Sequence, residues 1–128
     1  MDQVTLLIYR VGSSEPFTEW LDELKDRAAR AKIWARLARI RTGNFGDCRS
    51  VGSGVFELRV DFGPGYRVYY GHIEKNKVIL LLGGGNKAFQ RDDIASAKER
   101  WQGFEGQEDK SDEKKQSGKN RRNRRRLP

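Results

Sequence analysis

The chain has 128 residues, 36% of them hydrophobic, with one cysteine, one histidine and a formal net charge of +8. That length supports one domain. The single Cys48 excludes an internal disulfide and a cysteine-rich zinc site, and the single His72 excludes a His-pair metal motif and leaves a serine triad hard to build.

"QVTLLIYR" at 3–10 is rich in β-branched and aliphatic residues and reads as a first strand. A helix follows from "SSEPFTEWLDEL", with Ser14 as its N-cap and acids in its first turn. Phe17, Trp20, Leu21 and Leu24 recur at i, i+3, i+4, i+7 and mark its buried face. Asp26 caps a second helix that runs to Arg41, whose inward stripe is Ala29, Ile33, Leu37 and Ile40. Two helices joined so tightly form a helical hairpin.

"GNFGDCRSVGSG" at 43–54 reads as a Gly/Ser-rich loop. "VFELRVDFGPGYRVYY" at 55–70 then alternates as two strands about a Gly-Pro-Gly turn. A three-residue turn at 63–65 sets Asp61 opposite Arg67 and Arg59 opposite Tyr69, with Arg59 and Arg67 as diagonal neighbours. Glu57, Arg59, Asp61, Arg67 and Tyr69 then share one face. That patch is either an ordinary cross-strand ion pair on a wet face or a grip for a phosphate, a task suited to arginine's permanent charge and planar fork. "EKNK" turns the chain into "VILLL" at 78–82, apolar on both faces as a central strand is.

The "GGGNK" stretch breaks that strand and brings Lys87 to a flexible loop, which is either a permissive turn or an anion cradle. A last helix over 90–101 faces inward through Ile94, Ala97 and Trp101. The second helix carries Arg27, Arg30, Lys32, Arg36, Arg39 and Arg41 with no acid between them. These cations repel one another, so an RNA backbone, an acidic protein segment or simple solvation must account for them.

The expected architecture is an α+β domain, β-α-α-β-β-β-α, with helices packed on a mostly antiparallel sheet over residues 1–102. Residues 103–128 hold only two large apolar side chains, Phe104 and Leu127, beside 9 Lys/Arg and 5 Asp/Glu, and read as a disordered charged tail. That tail is either a nucleic-acid-attracting arm or a solvated extension. No run approaches the roughly 20 apolar residues of a membrane span, and the polar start is unlike a signal peptide. A cytoplasmic protein is expected, with no membrane partner.

Taken together, "FTEWLDELKDRAARAKIWARLARI", "GNFGD", "ELRVDFGPGYRVYY" and "LLGGGNK…QRDDI…A" resemble the RelE/ParE toxin superfamily. The likeness covers about residues 3–102 and is strongest to the HigB-like branch of addiction-module killer and phage Gp49-like proteins. It implies the toxin of a type II toxin–antitoxin pair that cuts mRNA on the ribosome without a metal or other cofactor. In that chemistry the ribose 2′-OH attacks the neighbouring phosphate. The alternative within the superfamily is ParE-like, non-catalytic inhibition of DNA gyrase. By resemblance, Arg67 matches the arginine of the family's "GYR" hairpin and stabilises the transition state. Arg59 matches the basic residue of the preceding strand, and Lys87 the one after the last core strand. Glu57 is then the expected general base and Tyr69 the residue that orients or stacks a base. Arg30, Arg36 and Arg39 are expected to hold RNA or the antitoxin, a small helix-turn-helix protein. The family's usual tyrosine or histidine near the C-terminal helix is missing here.

Overall fold

The computed structural model describes residues 3–114 and 124–126. The elements are β1 (Thr5–Tyr9), α1 (Pro16–Glu23), α2 (Arg27–Arg41), β2 (Cys48–Gly52), β3 (Val55–Val60), β4 (Tyr66–Glu74), β5 (Val78–Asn86), α3 (Gln90–Lys114) and β6 (Arg124–Arg126). A single 3-10 turn, Lys87–Phe89, links β5 to α3. Five strands in the order β2-β3-β4-β5-β1 form an open sheet, and the three-residue β6 pairs along the far edge of β1. Only β1 and β5 run parallel, so the expected α+β architecture with a mostly antiparallel sheet is what the chain adopts. Among the described residues no helix is long and apolar enough to cross a membrane.

The alternation of apolar side chains along β3, β4 and β5 gives the sheet two buried faces. On one, Leu58, Val60, Val68, Tyr70, Ile79 and Leu81 meet Phe17 and Leu21 of α1 and Ala29, Ile33, Leu37 and Ile40 of α2. On the other, Val55, Tyr69, Leu80 and Leu82 are covered by Ala97, Trp101 and Phe104 of α3. Asp26 caps α2 as expected, its carboxylate accepting from the backbone N–H of Ala28 at 2.9 Å and of Ala29 at 3.2 Å.

Several expectations are corrected. The α1 N-cap is Glu15, followed by Pro16, and Ser14 instead donates to the Glu19 carboxylate at 3.0 Å. Part of the presumed loop at 43–54 is β2, an edge strand whose side chains are mostly exposed and so carry no apolar alternation to read. The glycine run at 83–85 does not break β5 but completes it. Trp20 presses on Gly84 from one face and Asp93 on Gly85 from the other, so a Cβ at either position would collide with them. The last helix does not stop at 101. It runs to Lys114, and Phe104, 3% exposed, stacks on Trp101 at 5.7 Å and extends the apolar stripe by one turn. Within the segment expected to be a disordered charged tail, the described residues to Lys114 continue α3 and Arg124–Arg126 pair with β1, which does not test that expectation. For 115–123 and 127–128 that expectation lies outside the described residues.

The hairpin register also differs. The connection spans five residues, because the Phe62 N–H bonds to the Val60 carbonyl and the Gly65 N–H to the Phe62 carbonyl, both at 3.0 Å. Gly63 and Gly65 supply the positive φ values of 54° and 86° that these tight turns need. Val60 therefore pairs with Tyr66, Arg59 with Arg67 and Glu57 with Tyr69, while Asp61 lies outside the ladder.

Two outcomes test this packing. Gly84→Ala should cost about 1–3 kcal/mol through overpacking against Trp20, read as a lower urea midpoint with unchanged m. His72 packs among Phe45, Phe56 and Tyr70, and its Nδ1 accepts from the Asn76 N–H at 3.2 Å. Burial, then Lys75, lowers its pKa below the ordinary 6.5. The unfolded chain then binds the proton more readily, so stability should fall as pH drops below about 6.5 towards the lowered folded value. Urea midpoints of His72→Gln should lose that part of the slope.

Candidate functional site

A cleft of about 360 Å³ opens at the tip of the β3–β4 hairpin. Its walls include Arg59 from β3, Tyr66 and Arg67 from β4, the turn residues Asp61 and Gly65, Asp47 before β2, and Lys87 after β5. The Lys87 N–H donates to the Gly65 carbonyl at 3.1 Å, which fastens the start of the 3-10 turn to the hairpin tip. Three cations from three separate segments thus meet at one opening. Arg59 and Arg67 stand directly opposite each other across the ladder, an arrangement of like charges that is destabilising unless an anion relieves it. Asp47 relieves Arg59 in part, at 3.3 Å from its Nε, but that pair is well exposed and worth little.

Beneath the cleft lies a buried carboxylate. Glu57 is fully buried, and its Oε1 accepts from Arg49 Nε at 3.0 Å. Its Oε2 accepts from Gln90 Nε2 at 2.8 Å and stands 3.5 Å from Arg67 Nε. Strands β2, β3 and β4 and the first turn of α3 therefore converge on one charge. A charge so deeply buried persists only with such partners. Arg67 Nε and the Tyr69 hydroxyl are buried without a hydrogen-bond partner among the described residues. Burial, and then the Glu57 carboxylate, push the Tyr69 phenol well above its ordinary pKa.

The expected site residues therefore separate into groups. Arg59, Arg67 and Lys87 line the cleft together. Glu57 and Tyr69, 0% and 1% exposed, are neighbours of Arg67 but lie below the surface and form no part of the cleft wall. Arg30, Arg36 and Arg39 of α2 lie outside the cleft lining. Arg30 donates to the Leu24 carbonyl, and Arg36 donates to the carbonyls of Arg59 at 2.7 Å and Phe45 at 3.3 Å. Arg36 thereby ties α2 to the strand that carries Arg59. Arg39 is exposed. Among the described residues no group of three or more His, Cys, Asp or Glu side chains is placed to hold a metal ion.

Sequence reasoning missed Arg49 and Gln90. Arg49 was hidden because β2 shows no strand pattern, and Gln90 because only folding brings the start of α3 over Glu57, 33 residues away in the chain.

The family described as "Phage derived protein Gp49-like" matches residues 19–102. A relative from Haemophilus influenzae, described as an uncharacterized protein, is 50% identical over 89 residues, covering 70% of this chain and 89% of the relative. No solved structure matches. The matched span runs from α1 to α3 and contains the hairpin, the cleft cations and the buried carboxylate, and the chain belongs to the Gp49-like family, addiction-module toxins related to RelE and HigB.

Proposed function

We propose that the protein is the toxin of a type II toxin–antitoxin pair and acts as a ribosome-dependent, metal-independent mRNA endonuclease that inhibits translation in the cytoplasm. Membership of the family implies an antitoxin partner, and a helix-turn-helix protein is the proposed one. The observation that carries the reading is the cleft itself, in which Arg59, Arg67 and Lys87 converge and the two arginines face each other across the ladder, offset only in part by Asp47 and Glu57. A phosphodiester entering there would relieve their repulsion and receive planar, permanently charged donors.

In this reading Arg67 stabilises the charge that develops on the pentacoordinate phosphorane, and Arg59 and Lys87 hold the flanking phosphates. Glu57 is a positioning residue: its buried ion pair with Arg67 restrains the guanidinium at the wall of the cleft. Tyr69, the cross-strand partner of Glu57, is buried beside that ion pair. The carboxylate with access to a 2′-OH is Asp61, which lines the cleft and forms no ion pair among the described residues. Arg39 is exposed and available to rRNA or the antitoxin.

The second reading, ParE-like inhibition of gyrase without catalysis, is favoured by one feature. The cleft lining holds no histidine, and its one tyrosine, Tyr66, is 7% exposed, leaving few groups for proton transfer.

Brief induction in bacteria lacking the antitoxin, followed by mapping of new mRNA 5′ ends, tests the nuclease. In-frame cuts confined to translated regions are expected, and Arg67→Ala should slow cutting roughly 10²–10³-fold, the usual effect of losing one such donor. Unchanged cutting by Arg67→Ala would sink the role given to that residue. Growth arrest with intact mRNA, together with blocked supercoiling by gyrase and the purified protein alone, would establish the second reading instead.

A further inference from the structure

Glu57 does more than steady Arg67. Arg49 and Arg67 approach it from opposite sides, each through Nε, one to Oε1 and the other to Oε2. For Arg49 the contact is a hydrogen bond at the root of the guanidinium, which leaves further N–H donors for another acceptor. Arg67 lines the cleft. Arg49, on the edge strand β2, is 52% exposed, so its spare donors are open to solvent, while the carboxylate it holds is 0% exposed. Among the described residues Arg49 has no other acceptor and no second acid.

Two further features agree. The cluster under α3 takes in Val55, Tyr69, Leu80 and Leu82 and reaches Val51 of β2, while Arg49, two residues earlier on that strand, stays half-exposed. Positive charge also continues along this edge. The Lys98 ammonium reaches Gly52, three residues beyond Arg49, to within 3.3 Å of where a Cβ would stand. An ion pair serving only to neutralise Glu57 would be complete with Arg67 and Gln90, whereas the third partner adds a half-exposed guanidinium on a fixed root.

We propose that Arg49 forms a second phosphate subsite beside the cleft, holding the phosphate next to the one at Arg67 on a single-stranded RNA. This rests on the nuclease reading above and deepens it. The ligand is a strand of several nucleotides laid from Lys87 across the hairpin towards β2, and one buried carboxylate presets the spacing of two of its phosphate contacts. Arg49 is a binding residue in this scheme and takes no part in bond breaking.

The test uses the full-length protein on translating ribosomes with mRNAs that carry one uncharged methylphosphonate linkage, placed on either side of the cut. With the unsubstituted protein, the neutral linkage on one side should slow cutting roughly ten-fold or more relative to the all-phosphate mRNA, as expected for one charge-assisted contact. Arg49→Gln should cut both mRNAs at the same reduced rate, and Arg49→Lys should keep part of the difference. Each comparison is a ratio within one variant, so it does not depend on how much of that variant folds. If Arg49→Gln keeps the full penalty for the neutral linkage, Arg49 is only a structural partner of Glu57 and the subsite is overturned. Indifference of the unsubstituted protein to a neutral linkage on both sides also overturns it. No cutting of any mRNA by the unsubstituted protein overturns the nuclease reading itself, and the subsite with it.

Discussion

A fully buried carboxylate, Glu57, organises the functional end of this protein, and its requirements explain much of what surrounds it. Removing a charge from water is tolerable only when partners replace the lost hydration. Here they come from Arg49 on β2, Arg67 on β4 and Gln90 at the start of α3. The edge strand, the central hairpin and the last helix are thereby fixed to one another at a polar point. An interaction that unites these elements also sets the direction of two guanidiniums. Under the proposed function, stability and ligand recognition would share the same residues at this place.

The hairpin connection determines the second part of the site. Five residues rather than three separate β3 from β4, and each two-residue change in register brings a different pair of side chains face to face. With Val60 against Tyr66, Arg59 comes opposite Arg67 and Glu57 opposite Tyr69. That placement brings two like charges together, offset in part by Asp47 at Arg59 and Glu57 at Arg67. The Lys87 N–H to Gly65 carbonyl bond then closes the third side of the cleft.

Glycine at 84 and 85 lets the two helical layers come this close. Trp20 rests on one face of β5 and Asp93 on the other, in positions that any side chain on those residues would occupy. The close seating of α3 is what holds Gln90 over Glu57. Packing at the centre of the sheet and the polar contacts at its end are therefore parts of one arrangement. α2 contributes from the opposite layer, where Arg36 gives its donors to the backbone of Arg59 and Phe45.

Much of the fold was legible in the sequence because the signals were local. The stripe Ala29, Ile33, Leu37 and Ile40, the Asp26 cap, and the alternation along β3 and β4 follow from repeat lengths of 3.6 and 2, and the structure buries those residues accordingly. Arg59, Arg67 and Lys87 were also legible as candidates, since their motifs lie on adjacent segments that meet at one cleft. Tertiary structure alone decided the rest. β2 is an edge strand with little apolar pattern, and the glycine run is a strand only because bulky side chains press on it. Burial of Glu57 depends on partners from three distant segments, so no neighbouring residue announces it. Residue types and periodicities identified the elements and their cationic candidates. The depth of a charge and the pairing of two arginines are properties of long-range contact, and these emerged only when strands and helices were packed together.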